Sequence, residues 1–152
     1  FYRYANVDLD QLRANLGGDA ARTQRAAEAF IRAAVAAIPT GKQNSMAAQN
    51  PPSLVLVVLR KQGMWSLANA FVTPVRPNAN GDLVENSVAA LDRYWGKLAR
   101  MYGTAQIRAT ALGLLEDVDL KALQGARVDS LDDLVERISA VLRSAEREEA
   151  AG

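Results

Sequence analysis

The stretch Gly41-Lys42-Gln43-Asn44-Ser45 sets an ammonium, two amides and a hydroxyl beside a glycine. Glycine lets backbone come close to a ligand, and the side chains supply hydrogen-bond donors. Such a set suits phosphate oxygens held without base preference. A solvated surface loop is the plainer alternative, since single lysines in loops are common. A nucleotide-hydrolysing phosphate loop is excluded by its own rules. The position five before Gly41 is Ala36 rather than glycine, and Gln43 stands where serine or threonine must follow the lysine. The order is also helix–loop–strand where the motif needs strand–loop–helix.

Other candidates are weaker. Glu116, Asp117 and Asp119 have the oxygens to hold a divalent ion, but such tight spacing is ordinary in turns and helix caps. Tyr2 and Tyr4 would share one strand face, placed either to stack bases or to pack a core. Trp65 and Trp95 read as buried anchors. The chain has no histidine and no cysteine, which removes imidazole acid–base chemistry, thiol nucleophiles, thiolate metal sites and disulfides. No metal or cofactor is expected.

The elements that must position these groups follow from periodicity. Residues 1–7, with Phe1, Tyr2 and Tyr4, are predicted to form a strand whose edge would template association. Asp8 is placed as a helix N-cap with Gln11 in a capping-box-like pair, and Leu9, Leu12 and Leu16 share a face. Gly17 and Gly18 end that helix. Asp19 caps a second one, in which Ala27, Phe30, Ile31, Ala34, Val35 and Ile38 recur at helical spacing. Arg22, Arg25 and Arg32 lie off that stripe, and Pro39 marks the stop. The connection 39–52 is then long for a compact chain, where about 4–6 residues is usual.

"SLVLVVLR" reads as a strand covered on both faces. "KQGM" reads as a turn, and "WSLANAFVTPV" as a second strand in a hairpin, with Pro74 and Pro77 at a sheet edge. Asn86 is predicted to cap a helix burying Val88, Leu91, Trp95, Leu98 and Tyr102 and ending at Gly103. "QIRATALGLL" reads as a strand and "EDVD" as a turn. Ser130 with Asp133 opens an amphipathic helix through Leu131, Leu134, Val135, Ile138 and Leu142, with a fraying tail. The order strand, helix, strand, strand, helix, strand, helix is α+β and close to the split βαβ of ferredoxin-like and RNA-recognition-motif folds.

With 152 residues the chain has room for one domain with a real core. Its formal net charge of +1 means that any nucleic-acid site must be a local patch. No apolar run approaches the ~20 residues of a membrane span. The opening "FYRYANV" reads as a strand joined mid-course, as expected of a piece of a longer protein.

Four separated segments, "FYRYANVDLDQLRANLGG", Pro-x-Gly-Lys-Gln followed by "AAQNP", "SLANAF" and "LDRYWGKLARMYG", occur in one order. Together they resemble the CasC family, the backbone subunit of the type I-E CRISPR surveillance complex, Cascade. The resemblance runs from Phe1 to about Leu142. It implies a modified RNA-recognition-motif (ferredoxin-like) palm, incomplete here, with an extra C-terminal amphipathic helix. This chain resembles the family's C-terminal half, 1–152 as a single domain, without the first palm strand, fingers and thumb. The implied role is a cytoplasmic, non-catalytic scaffold that polymerises along CRISPR RNA. Its implied partners are the RNA, copies of itself, other Cascade subunits and target DNA through the guide, with no membrane. A separate nuclease-helicase would do the cutting.

The loop matches the family at Pro39, Lys42, Gln43, Ala47, Ala48, Asn50 and Pro51, which implies RNA-backbone contacts by Lys42 and Gln43; Gly41, Asn44 and Ser45 join them as candidates by residue type. Position 44, basic in some relatives, is Asn here, so one phosphate contact is in doubt. Asn69 in "SLANAF" is a further RNA-contact candidate, its alternative being a buried amide that satisfies the hairpin backbone. A competing reading is a half-domain that has lost RNA binding and serves only protein interaction. Salt-dependent binding of single-stranded RNA separates the two.

Overall fold

A computed structural model describes residues 2–37, 50–77, 79 and 82–151. The described residues contain four α-helices, α1 (Leu9–Asn15), α2 (Ala20–Ala36), α3 (Leu83–Tyr102) and α4 (Leu131–Ala151). Three strands, β1 (Leu54–Arg60), β2 (Ile107–Leu114) and β3 (Arg127–Val128), make one sheet in the order β1-β2-β3. β1 runs antiparallel to β2, from Leu54 opposite Leu114 to Arg60 opposite Ile107, with an irregularity between Leu59 and Arg60. β3 adds parallel to β2. The α+β expectation holds, as a partial ferredoxin-like fold with a C-terminal helix.

The chain divides into two compact units. One takes the residues up to Tyr4 together with Ser53–Leu134. Its core gathers Leu67, Val88, Leu91, Trp95, Leu112, Leu120, Leu123 and Ala126. Leu112 in the central strand is fully enclosed, as the middle of a sheet covered by α3 demands. The other unit takes Ala5–Pro52 with Val135–Gly152. There α1 and α2 are capped as the sequence predicts: Asp8 accepts from the Gln11 N–H at 3.0 Å and Asp19 from the Arg22 N–H at 2.8 Å. The Gln11 side chain goes to Asn15 instead of closing a capping box. Positive φ at Gly17 and Gly18 turns the chain between the two helices, as expected of a glycine stop. Arg22, Arg25 and Arg32 are exposed, and Phe30, Ile31, Ala34 and Val35 half-buried.

Three expectations fail. Residues 2–7 form no strand: Tyr2 ties the segment down through its side chain, its hydroxyl accepting from the Leu67 N–H at 2.9 Å and its ring tilting on Phe71. Residues 65–75 form no hairpin strand either. The Leu67 N–H is taken by Tyr2, and the Leu67 carbonyl accepts from the Ala70 N–H at 2.9 Å, which closes a 3-10 turn over Ala68–Phe71. β2, far along the sequence, supplies the antiparallel partner of β1. Third, α3 starts earlier than predicted, and Tyr102, expected in its buried stripe, is exposed near its C-terminal end. Asp82 caps it, accepting from Val84 and Glu85, while the Glu85 carboxylate returns to the Asp82 N–H at 2.9 Å. α4 extends from Leu131 to Ala151.

Candidate nucleic-acid interface

Residues 41–45, with Gly41, Lys42, Gln43, Asn44 and Ser45, lie outside the described residues. Asn69 is described and exposed, in the 3-10 turn rather than as a buried amide in a hairpin. Glu116, Asp117 and Asp119 are all exposed; Asp117 pairs with Arg127 at 2.6 Å, and the Glu116 carbonyl accepts from the Val118 N–H, which is turn chemistry. Trp95 is buried, whereas Trp65 is half-buried, edge-on to Trp95 at 5.5 Å and beneath the Arg60 guanidinium.

Asn69 opens onto a cleft of about 450 Å³ between residues 69–76 and α3. Two ties fix residues 69–76 from their ends. Tyr2 holds Leu67, just before them, and the Asn86 side-chain amide donates to the Arg76 carbonyl at 3.0 Å. Asn86 thus serves the cleft wall instead of capping α3. The charged lining is Arg76, Arg93 and Lys97, all exposed, accompanied by the amides Asn69 and Asn86 and the half-buried Tyr94. Among the described residues no carboxylate lines the cleft. Arg93 and Lys97 stand one helical turn apart, so both heads reach the same groove.

The acids of α3 are occupied elsewhere. Glu85 belongs to the cap. Asp92 is buried at 4% exposure and accepts three backbone N–H groups: Lys121 at 3.0 Å, Ala122 at 3.0 Å and Leu123 at 2.8 Å. A buried charge needs such partners. Gly96, one turn on, lets this segment come close, since a β-carbon there would lie 3.2 Å from that of Ala122. The carboxylate therefore locks residues 121–123 onto α3 and contributes no negative charge to the cleft.

Sequence reasoning passed over Arg76, Arg93, Lys97 and Asp92. Two signals were present. Asp92 falls within the apolar stripe Val88–Leu91–Trp95, where a carboxylate must find buried donors. Arg93 and Lys97 repeat at i, i+4 away from that stripe. Nothing in the sequence brings Arg76 to them.

Comparison with known proteins adds the context. A family described as CT1975-like protein matches residues 1–137. One solved chain, from a structure titled "CRISPR RNA-guided surveillance complex", is 32% identical with a TM-score of 0.76 over 88% of this chain. A second, from "CRISPR RNA-guided surveillance complex, pre-nicking", is 31% identical with a TM-score of 0.75 over 90% of this chain. The chain spans 50% of the first and 36% of the second. Among curated proteins none matches. These likenesses bear out the resemblance carried by the four sequence segments.

Proposed function

The chain belongs to the CT1975-like protein family, and we propose on that premise that it is a non-catalytic scaffold that holds CRISPR RNA within a Cascade-type surveillance complex. The observation that carries the reading is its likeness, in sequence and fold together, to chains of CRISPR RNA-guided surveillance complexes. In this reading Lys42 and the neutral donors Gly41, Gln43, Asn44 and Ser45 grip the RNA backbone, with Asn69 as a further contact. Copies line up along the guide, other subunits complete the complex, and the guide's bases stay free to pair with target DNA. The residue inventory favours binding over chemistry: imidazole and thiol are missing from the sequence, and Asp117 of its acidic turn pairs with Arg127.

Lys42→Ala tests the grip. It weakens RNA binding equally for all sequences, because a backbone contact carries no base information. The slope of log affinity against log salt falls by ~0.7 for one lost phosphate contact on a single strand. A base-dependent loss would make Lys42 a reader of sequence. The protein leaves RNA and DNA intact over hours with magnesium or manganese. Metal-dependent cleavage that disappears in a Glu116/Asp117/Asp119 triple-alanine variant would overturn the non-catalytic part.

A further inference from the structure

We propose that the cleft between residues 69–76 and α3 is a second phosphate-binding groove for single-stranded RNA, formed by Arg76, Arg93 and Lys97 and separate from the loop 39–52. The inference rests on the RNA-scaffold reading above and adds to it a site with its own residues.

Three observations carry it. The first is uncompensated charge. Three cations line one cleft with no carboxylate among its described lining residues, in a chain whose overall charge is only +1. Like charges held together repel, so a counter-charge from outside is favourable there. The second is the fate of the nearest acids. Asp92 adjoins Arg93 in sequence, yet it is turned inward and saturated by three N–H groups, and Glu85 is held in the cap. Neither neutralises the groove. The third is the kind of donors. Two guanidiniums present the forked N–H geometry that fits phosphate oxygens, and Lys97 adds a point charge. Asn69 adds an amide, and Tyr94 offers a ring beside them. A cationic groove joined to an aromatic ring is how single strands are held without sequence preference. An acidic protein segment would use the cations but gain little from the ring, so RNA is the better fit.

The groove is also held in shape before any ligand arrives. The Tyr2 hydroxyl on Leu67 and the Asn86 amide on the Arg76 carbonyl tie down the wall, and the capped helix α3 forms the other side. Binding therefore spends little on ordering backbone.

The test is a salt titration of a fluorescent single-stranded RNA against the protein and three variants: Arg76/Arg93/Lys97→Gln, Lys42→Ala, and Arg100/Lys121→Gln as a control for charge lost outside the cleft. The triple variant is expected to bind about ten- to a hundredfold more weakly at low salt. Its salt slope falls by about 2, from three lost contacts at ~0.7 each. Its unfolding midpoint stays that of the wild type, because the three side chains are exposed. The control variant shifts affinity far less. If the wild type and Lys42→Ala behave as the scaffold reading expects while the triple variant matches the wild type, the groove is overturned alone and its cations are left to an acidic protein surface. If the wild type binds no RNA at any salt, both readings fall. A loss equal in the triple and control variants would also overturn the groove, since it would report net charge rather than a site.

Discussion

The inner and outer faces of α3 treat charge in opposite ways. On the inner face Asp92, at 4% exposure, is ringed by three backbone donors and does nothing but hold residues 121–123. One residue on, Arg93 is exposed and opens with Lys97 onto a cleft with no carboxylate among its described lining residues. Burial makes the difference. A charge in the interior has to be satisfied by the protein or the fold suffers. A charge in a wet groove costs little to leave unpaired and stays available to a partner. Removing charge from the inner face should therefore damage the fold, and removing it from the outer face should damage only binding.

Asp92→Ala gives the largest effect. It leaves three N–H groups without their acceptor and should destabilise the protein by about 3–5 kcal/mol, read by denaturant unfolding. A cost below ~1 kcal/mol would mean that water replaces the carboxylate, and the inner face would lose its distinction. Asp92→Asn keeps one oxygen but turns an NH₂ toward other donors. About half the loss is expected, ~2 kcal/mol, and the ranking Ala worse than Asn checks that acceptance rather than packing is at stake. On the outer face, Arg93→Gln with Lys97→Gln should move stability by no more than ~0.5 kcal/mol. A large stability loss there would show that these cations serve the fold.

A smaller effect lies in the other unit. The Gln24 amide, donating at 2.8 Å, is the main cause that holds the Glu28 carboxyl below its ordinary value. The neighbouring Ser139 hydroxyl adds to this, partial burial opposes it, and Arg143 and Arg32 help at longer range. A carboxyl with a lowered folded-state pKa stabilises above the unfolded-state value, and that contribution fades as the pH falls through the folded-state value. Glu28→Gln should thus cost under ~0.5 kcal/mol at neutral pH and nothing in acid. A difference that grows on acidification would reverse the sign and refute the assignment.

Elements with a complete local signal were legible in the sequence. α2 shows its Asp19 cap, its i, i+3, i+4 stripe and its exposed arginines together, and β1 is an unbroken apolar run. Residues 65–75 misled because a short apolar-rich run between turn signals does not by itself specify a strand. Their backbone was decided by Tyr2, some 65 positions away in the chain. The start of α3 was readable in Asp82 and Glu85 but passed over for Asn86, a good cap residue by type whose amide is engaged by the Arg76 carbonyl. The loop 41–45 is singled out by its residue types and by family resemblance, and it lies outside the described residues. The cleft was not legible, because Arg76 and Arg93 meet only once the chain has folded back on α3.

The central claim is that this chain grips the backbone of single-stranded RNA and performs no chemistry on it. It is tested most directly by titrating the protein against uridine and adenosine homopolymers of equal length over a series of salt concentrations, with magnesium present. The account predicts closely similar affinities for the two, a linear fall of log affinity with log salt at about 0.7 per phosphate contact, and RNA recovered intact. Affinity that depends on the base, binding indifferent to salt, or shortened RNA would contradict it.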